Sequence, residues 1–548
     1  MRRRTVALVV VVCFAAGAPA WLYIERRAGR STPAAFDLEE ATVRTLLEDQ
    51  RAGRRTARQI TEQYLSRIEA LDRRGPSLNS IIELNPDALS IADALDAERR
   101  TSGLRGPLHG IPVLVKDNID TADRMSTTAG SLALEGSIAA RDAFVVERLR
   151  AAGAVILGKT NLSEWANFRS TNSTSGWSGR GGLVRNPYAL DRSACGSSSG
   201  TAAAIAASFA AIGVGTETDG SIVCPSAATS LVGIKPTVGL VSRSGIVPIA
   251  HSQDTAGPMS RTVEDAAILL EVLAGADPRD GATTDESRPT RADYRGSLDP
   301  NGLRGARIGV ARAKFFGYSD VADRMTNTAV ERIKQLGAVV VDPADIPNAG
   351  TYDDSEHEVL LYEFKADLNA YLGGLGALAK VHSLADVIAF NEANRTREMP
   401  FFGQELMLEA QKKGPLTDKA YRDALTRNLR LSRKEGIDAV MDRLGLDALV
   451  APTGNPPWPA DLVNGDHFVG SSSTPAAVAG YPTVTVPAGY AFGEPIGLSF
   501  IGRRWSEARL IAFAYAYEQA TRHRHPPGFP STVTMNPPDD AEAPKATR

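Results

Sequence analysis

Apolar residues recur along this chain at two spacings, and the alternation between them sets the fold class. Ile60, Tyr64, Leu65, Ile68 and Leu71 repeat at the helical interval and predict an amphipathic helix. Residues 86–100 predict a second helix. Arg141–Ala152 predicts a third, with Gly153 placed as its C′ cap. Between these stand short apolar runs with no helical period: Val113–Val115, ending on Lys116, and Ala154–Leu157. Similar runs follow at 306–311, 448–452, 483–487 and 496–501, each with the length of a buried strand. A helix ends within Ala266–Ala274, and Ser506–Thr521 predicts the last one, with Ala, Leu and Tyr on its inner face. Helical and strand patterns that alternate in this way predict an α/β protein. They do not give the strand order.

Four stretches break the rhythm. Met1-Arg-Arg-Arg precedes Thr5–Ile24, which carries no charge, and Glu25-Arg-Arg follows. A basic start, an apolar core and small residues at 16–20 fit a secretory signal; twenty uncharged residues also suffice to span a bilayer. Residues 1–30 are therefore read as a signal peptide or an uncleaved anchor, and the protein as exported, to the periplasm or beyond. The polar segment 277–304 is a long surface loop or a boundary. Residues 355–435 are mixed helices with exposed-looking aromatics at Phe401-Phe402, and the tail 531–548 is expected to be disordered. The remainder, 31–530, carries the alternating helical and strand patterns, and length alone would allow three or four domains in the whole chain. With 43% hydrophobic and 23% charged residues the chain is globular; a net charge of −3 gives no electrostatic footprint for nucleic acid. Three cysteines cannot make a disulfide scaffold, and no Cys/His spacing suggests a metal, so no metal or cofactor is expected.

The chemistry concentrates in 192–236. Two Ser/Gly clusters, at 196–200 and 216–221, flank an Ala-rich run that suits a closely packed helix and a return strand. Glycine beside serine lets backbone N–H groups point into a cavity and hold an oxyanion. Two motif matches mislead. Gly153-Ala-Val-Ile-Leu-Gly158-Lys159-Thr160 has the P-loop lettering, but its interior is a buried strand rather than a phosphate-cradling loop. Gly196-Ser-Ser-Ser-Gly200 has the lettering of a nucleophile elbow, yet a loop-like segment precedes it and no later histidine stands out. Far upstream, Lys116 follows three buried-type residues. Burial disfavours an ammonium and makes lysine a usable general base.

G-I-P-V-L-V-K-D-N, C-G-S-S-S-G-T-A-A-A and G-T-E-T-D-G-S-I, in that order, resemble the amidase signature family, and the likeness runs through most of residues 40–525. Within that family the chain is most similar to the bacterial peptide-amidase branch. The resemblance implies a single domain with a central mixed sheet covered by helices. It also implies a Ser-Ser-Lys triad: Ser221 as nucleophile, Lys116 as base, and Ser197 as relay through a cis Gly196–Ser197 bond. The N–H groups of Thr218, Asp219, Gly220 and Ser221 would form the oxyanion hole. The implied activity is carboxamide hydrolysis through an acyl-serine, with C-terminal peptide amides as leading substrate and ammonia released. Alternatives are other acyl, aryl or lipid amides, a glutamine-amidotransferase A-type subunit, or a silent binding protein. Ser198 either supports the lysine or is a plain loop serine. Glu217 and Asp219 are expected to be solvated or backbone-bonded rather than an acid/base pair. Cys195 and Cys224 flank the site and could pair, but are expected as two buried free thiols.

Overall fold

The computed structural model describes residues 37–289, 293–376 and 379–533. The segment read as signal or anchor, and residues 534–548 of the expected tail, lie outside the described residues. Among the described residues no helix is long and apolar enough to cross a membrane.

Thirteen strands form among the described residues: β1 (Ile81–Leu84), β2 (Pro112–Lys116), β3 (Val155–Thr160), β4 (Trp177–Ser178), β5 (Gly182–Leu183), β6 (Ile212–Glu217), β7 (Val232–Lys235), β8 (Thr255–Ser260), β9 (Arg307–Val310), β10 (Val339–Val341), β11 (Ala448–Pro452), β12 (Thr483–Ala491) and β13 (Glu494–Ile501). Eleven build one sheet in the order β1-β3-β2-β6-β8-β7-β12-β13-β11-β9-β10, and β4–β5 is a separate ribbon. The large sheet is mixed. β3, β2 and β6 run parallel, as do β10, β9 and β11, and the remaining neighbours are antiparallel. β2, β3, β6 and β11 are buried at every position, which explains why they read as continuous apolar or small-residue runs rather than alternating ones. The described residues from Leu38 onward belong to one compact unit, so the described part of 277–304 lies within it and is not a boundary.

The helices fall close to where the pattern places them. Ala57–Ile68 buries Ile60, Tyr64 and Ile68 and is closed at its start by a Thr56/Gln59 capping box. Phe144–Ala151 ends just before Gly153, whose φ of +85° carries the chain into β3. The P-loop-like lettering is thus a helix, a glycine turn and a buried strand. Phe401 and Phe402 differ: Phe401 is exposed, whereas Phe402 is buried beneath the Arg169 guanidinium, 4.2 Å from its ring centre.

The helix Ser199–Ala206 connects the two Ser/Gly clusters and is buried on all sides. Only small residues allow that, because it lies directly against backbone. A Cβ at Gly200 would sit 2.3 Å from the Asn161 carbonyl oxygen and 2.5 Å from that of Ser80; one at Gly213 of β6 would sit 2.7 Å from Thr201 Cγ2. The helix stops at Ala206, ahead of the full Ala-rich run, as Ser208 takes a φ of +57° and turns the chain into β6. Gly200→Ala is expected to destabilise the fold by about 2 kcal/mol or more, because backbone cannot yield as a side chain can. A lowered Tm in a thermal melt is the expected reading, and an unchanged Tm would contradict this packing.

Candidate active site

β2 and β6 are parallel neighbours, with Val113, Leu114 and Val115 opposite Ile212, Gly213 and Val214. Their carboxyl ends therefore emerge side by side, where ligand sites form in open α/β sheets. Lys116 ends β2 and Thr216 lies one residue before the end of β6. Lys116 is completely buried, and its Nζ donates to Ser197 Oγ at 2.8 Å, to Thr216 Oγ1 at 2.9 Å and to the Thr216 carbonyl at 3.3 Å. Asn118 Nδ2 also donates to Thr216 Oγ1, at 3.0 Å. The carbonyl can only accept, whereas the two hydroxyls can accept from an ammonium or donate to an amine. The cradle thus accommodates both protonation states of the lysine. Burial pushes its ammonium from the ordinary 10.5 down to about 7, against the opposing pull of Asp254 and Glu217.

Ser197 follows a cis Gly196–Ser197 peptide bond, as the resemblance implies. Gly196 has no room for a side chain: a Cβ there would meet Ser163 Oγ at 2.3 Å. Ser221 sits in the turn after β6, and the Ser198 N–H donates to its carbonyl at 3.2 Å, tying the two serine segments together by backbone. Among the described residues no hydrogen bond joins the Ser197 and Ser221 hydroxyls, so Lys116 and Ser197 are in contact while Ser221 is adjacent through its backbone. Among the described residues Ser198 makes no hydrogen bond with the lysine. Its Oγ donates to the Thr216 carbonyl at 3.1 Å and accepts from the Thr216 N–H at 3.3 Å, holding the end of β6 in place.

The turn Thr218–Ser221 is not arranged as four equal donors. The N–H of Gly220 donates to Glu217 Oε1 at 3.0 Å, and those of Ile222 and Val223 donate to Glu217 Oε2 at 2.7 and 3.0 Å. No acceptor meets the N–H groups of Thr218, Asp219 and Ser221 among the described residues. Three of the four expected donors are therefore open, and Gly220, with a φ of +77°, instead shapes the turn. Thr218 is fixed from the other side, its hydroxyl donating to Asp254 Oδ1 at 2.5 Å and its carbonyl accepting from Gln253 Nε2 at 3.4 Å. Burial raises Asp254 to about 6, opposed by the Thr218 hydroxyl and the N–H groups of Ile249 and Ala250. Asp219 accepts from Thr474 Oγ1 at 2.7 Å and is pushed up by burial.

Cys195 and Cys224 are joined by a disulfide, not left as free thiols. The reason is topological: the turn after β6 folds Cys224 back against the segment that carries Ser197. The bridge links positions two residues before Ser197 and three after Ser221, and with Ala228 and Trp458 it forms a small apolar cluster. A cavity of about 990 Å³ adjoins the end of β6, reaching it at Asn118, Thr216 and Thr218 and extending past Val247, Ile249 and Tyr371; Ser221 is not part of its lining. His251 and Asp367 on its wall, with the buried Glu363 behind them, bring ligand-type atoms within 4.8 Å of one another. These groups already satisfy each other. His251 Nδ1 meets Asp367 at 2.8 Å, and Glu363 accepts from Tyr421 OH and the Ser252 N–H, so the cluster braces the loop that bears Gln253 and Asp254.

The family model for amidases matches residues 59–511. The chain belongs to the amidase signature family. It is 44% identical to a probable amidase of Arabidopsis thaliana over 503 residues, covering 90% of this chain and 92% of that one. The native peptide amidase of Stenotrophomonas maltophilia is 53% identical, with a TM-score of 0.86, over 90% of this chain and 99% of that one. An A-type glutamyl-tRNA(Gln) amidotransferase subunit from Halorhodospira halophila is 36% identical over 90% of this chain and 100% of that one. The protein is an amide-hydrolysing enzyme with the mixed-sheet fold of its family.

Thr216, Asn118, Gln253, Asp254 and the anchoring role of Glu217 are not evident from the sequence. Thr216 and Glu217 lie inside the G-T-E-T-D-G-S-I block, but only the β2/β6 register shows that Thr216 meets Lys116. Alkylation under denaturing, non-reducing conditions is expected to leave Cys195 and Cys224 unlabelled until a reductant is added. Immediate labelling of both in mass spectrometry would contradict the bridge.

Proposed function

We propose that the protein hydrolyses primary carboxamides, C-terminal peptide amides foremost, by an acyl-Ser221 mechanism driven by neutral Lys116. The observation that carries this reading is the fully buried Lys116 amine, in contact with Ser197 and held near neutrality by burial. In the cycle, Ser221 Oγ attacks the amide carbon as its proton passes to Ser197, whose own proton passes to Lys116 Nζ. The tetrahedral oxyanion is received by the N–H groups of Thr218, Asp219 and Ser221. The proton returns through Ser197 to the nitrogen, which departs as ammonia, and water releases the acyl group by the same route. The relay's second contact, Ser197 to Ser221, closes when substrate is bound; catalytic hydrogen bonds are often long before that. Similarity to the Stenotrophomonas peptide amidase supports peptide amides as the substrate class. The same reading has the enzyme exported, by a signal either cleaved or kept as an anchor. The uncharged stretch 5–24 supports export, and a disulfide beside the site suits an oxidising compartment.

Ammonia release is expected from blocked peptide amides without ATP, and weakly or not at all from aryl amides, fatty-acid amides and glutamine. Ser221→Ala is expected to lower kcat by about 10⁶-fold and Lys116→Ala by about 10³-fold or more. Turnover confined to another amide would contradict the substrate class, and full activity of either variant would contradict the mechanism.

The pH dependence follows from the sign of the lysine shift. The working form is the neutral amine, so kcat/KM is expected to fall about tenfold per unit below about pH 7 and to level off above it. A rate that climbs toward pH 10 would contradict a lysine neutral near pH 7.

A further inference from the structure

Glu217 closes β6 immediately before the turn that carries Ser221, and it is buried. Its two carboxylate oxygens accept three backbone N–H groups, those of Gly220, Ile222 and Val223, at 2.7–3.0 Å. Two of these belong to the start of the short helix Val223–Ala228, whose first N–H groups have no partner within the helix. The third belongs to Gly220. The N–H groups of this segment therefore divide into two sets. Those of 220, 222 and 223 converge on one carboxylate, while those of 218, 219 and 221 have no acceptor among the described residues. Ser221 is the residue between two anchored neighbours, so the carboxylate fixes both the direction of its N–H and the place of its hydroxyl.

The geometry points to Glu217 as a positioning residue that aims the open N–H groups of Thr218, Asp219 and Ser221 at the tetrahedral oxyanion. This role rests on the reading of Ser221 as the nucleophile given above. Glu217 borders the cavity at the end of β6, but both its carboxylate oxygens are taken up by backbone N–H groups, so it acts through the backbone. A carboxylate suits the task because it accepts along both oxygens and donates nothing. The isosteric amide of glutamine would turn an N–H₂ toward at least one of the three N–H groups and lose that bond. Aspartate keeps the charge in the field of buried Lys235, but its shorter side chain cannot reach both sets of donors.

A purely structural role and a positioning role separate in the kinetics. A donor array used only when charge develops on oxygen affects kcat and the affinity of transition-state analogues, while leaving ground-state binding nearly untouched. The test compares wild type, Glu217→Gln and Glu217→Asp on a peptide amide that the wild type hydrolyses. Two inhibitors are added: a peptide aldehyde, which adds to Ser221 Oγ and places an oxyanion in the turn, and the corresponding peptide acid. For Glu217→Gln, kcat is expected to fall by about 30-fold or more with KM within about threefold. The aldehyde Ki should rise in step with that loss, and the acid Ki should remain within about threefold. Glu217→Asp is expected to fold with its charge retained and to show the same split to a smaller degree; it decides alone if the glutamine variant does not fold. A folded variant whose kcat and aldehyde affinity stay within threefold of wild type overturns the proposal. So does an equal loss of aldehyde and acid affinity, which marks general collapse of the pocket. A wild type that hydrolyses no amide overturns the functional reading and this one with it, whereas an active wild type with indifferent variants overturns this one alone.

Discussion

The withdrawal of one ammonium group from water is the constraint on which this molecule depends. Lys116 reaches the end of a strand that is buried at every position, between two parallel neighbours, and its Nζ meets two hydroxyls and one carbonyl. Among the described residues no carboxylate touches it. Asp254 and Glu217 act on it only at a distance, so burial dominates and brings the loss of its proton down to about pH 7. A carboxylate placed against Nζ would restore the charge and remove the base. The polar environment of the lysine is thus defined as much by what is kept away as by what is in contact.

From that constraint the small-residue architecture follows. Ser197 must be brought to Nζ by a loop that sits beneath a buried helix, and the helix must press against backbone to deliver it. Gly200 and Gly213 make the approach possible, and Ser198 fastens the start of the helix to Thr216, the residue that cradles the lysine from the other side. The disulfide and the Ser198–Ser221 backbone bond join the Ser197 segment to the Ser221 turn. Glu217 and Asp254 then fix the two ends of that turn. The two serine segments, separated in sequence by the helix and β6, behave as one braced unit around the lysine.

How much of this can be read from sequence depends on the range of the interaction. Helices such as Ala57–Ile68 and buried strands such as β2 and β11 are legible because local period and composition report burial directly. Lys116, Ser197 and Ser221 are legible because their blocks are contiguous and ordered, although the roles proposed for them come from the family resemblance and not from spacing. Strand order is not legible: β8 inserts between β6 and β7, and nothing in the apolar pattern of those three segments encodes it. Contacts that depend on that order are hidden with it. Thr216 against Lys116 requires the parallel register of β2 and β6. Gln253 and Asp254 against Thr218 require the return of the chain through β8. The pairing of Cys195 with Cys224, against the expectation of free thiols, is hidden for a related reason: sequence separation says nothing about how sharply the turn after Ser221 folds back.

Burial as the cause of a neutral Lys116 can be tested by observing its titration directly. In protein labelled with ¹³C at lysine Cε, with Ser221→Ala to keep the site unreacted and Lys116→Met to assign the signal, the Lys116 resonance can be followed across pH. One lysine signal is predicted to titrate near 7 and to be missing from the Lys116→Met spectrum. A Lys116 signal that titrates near the ordinary 10.5 with the other lysines would contradict it.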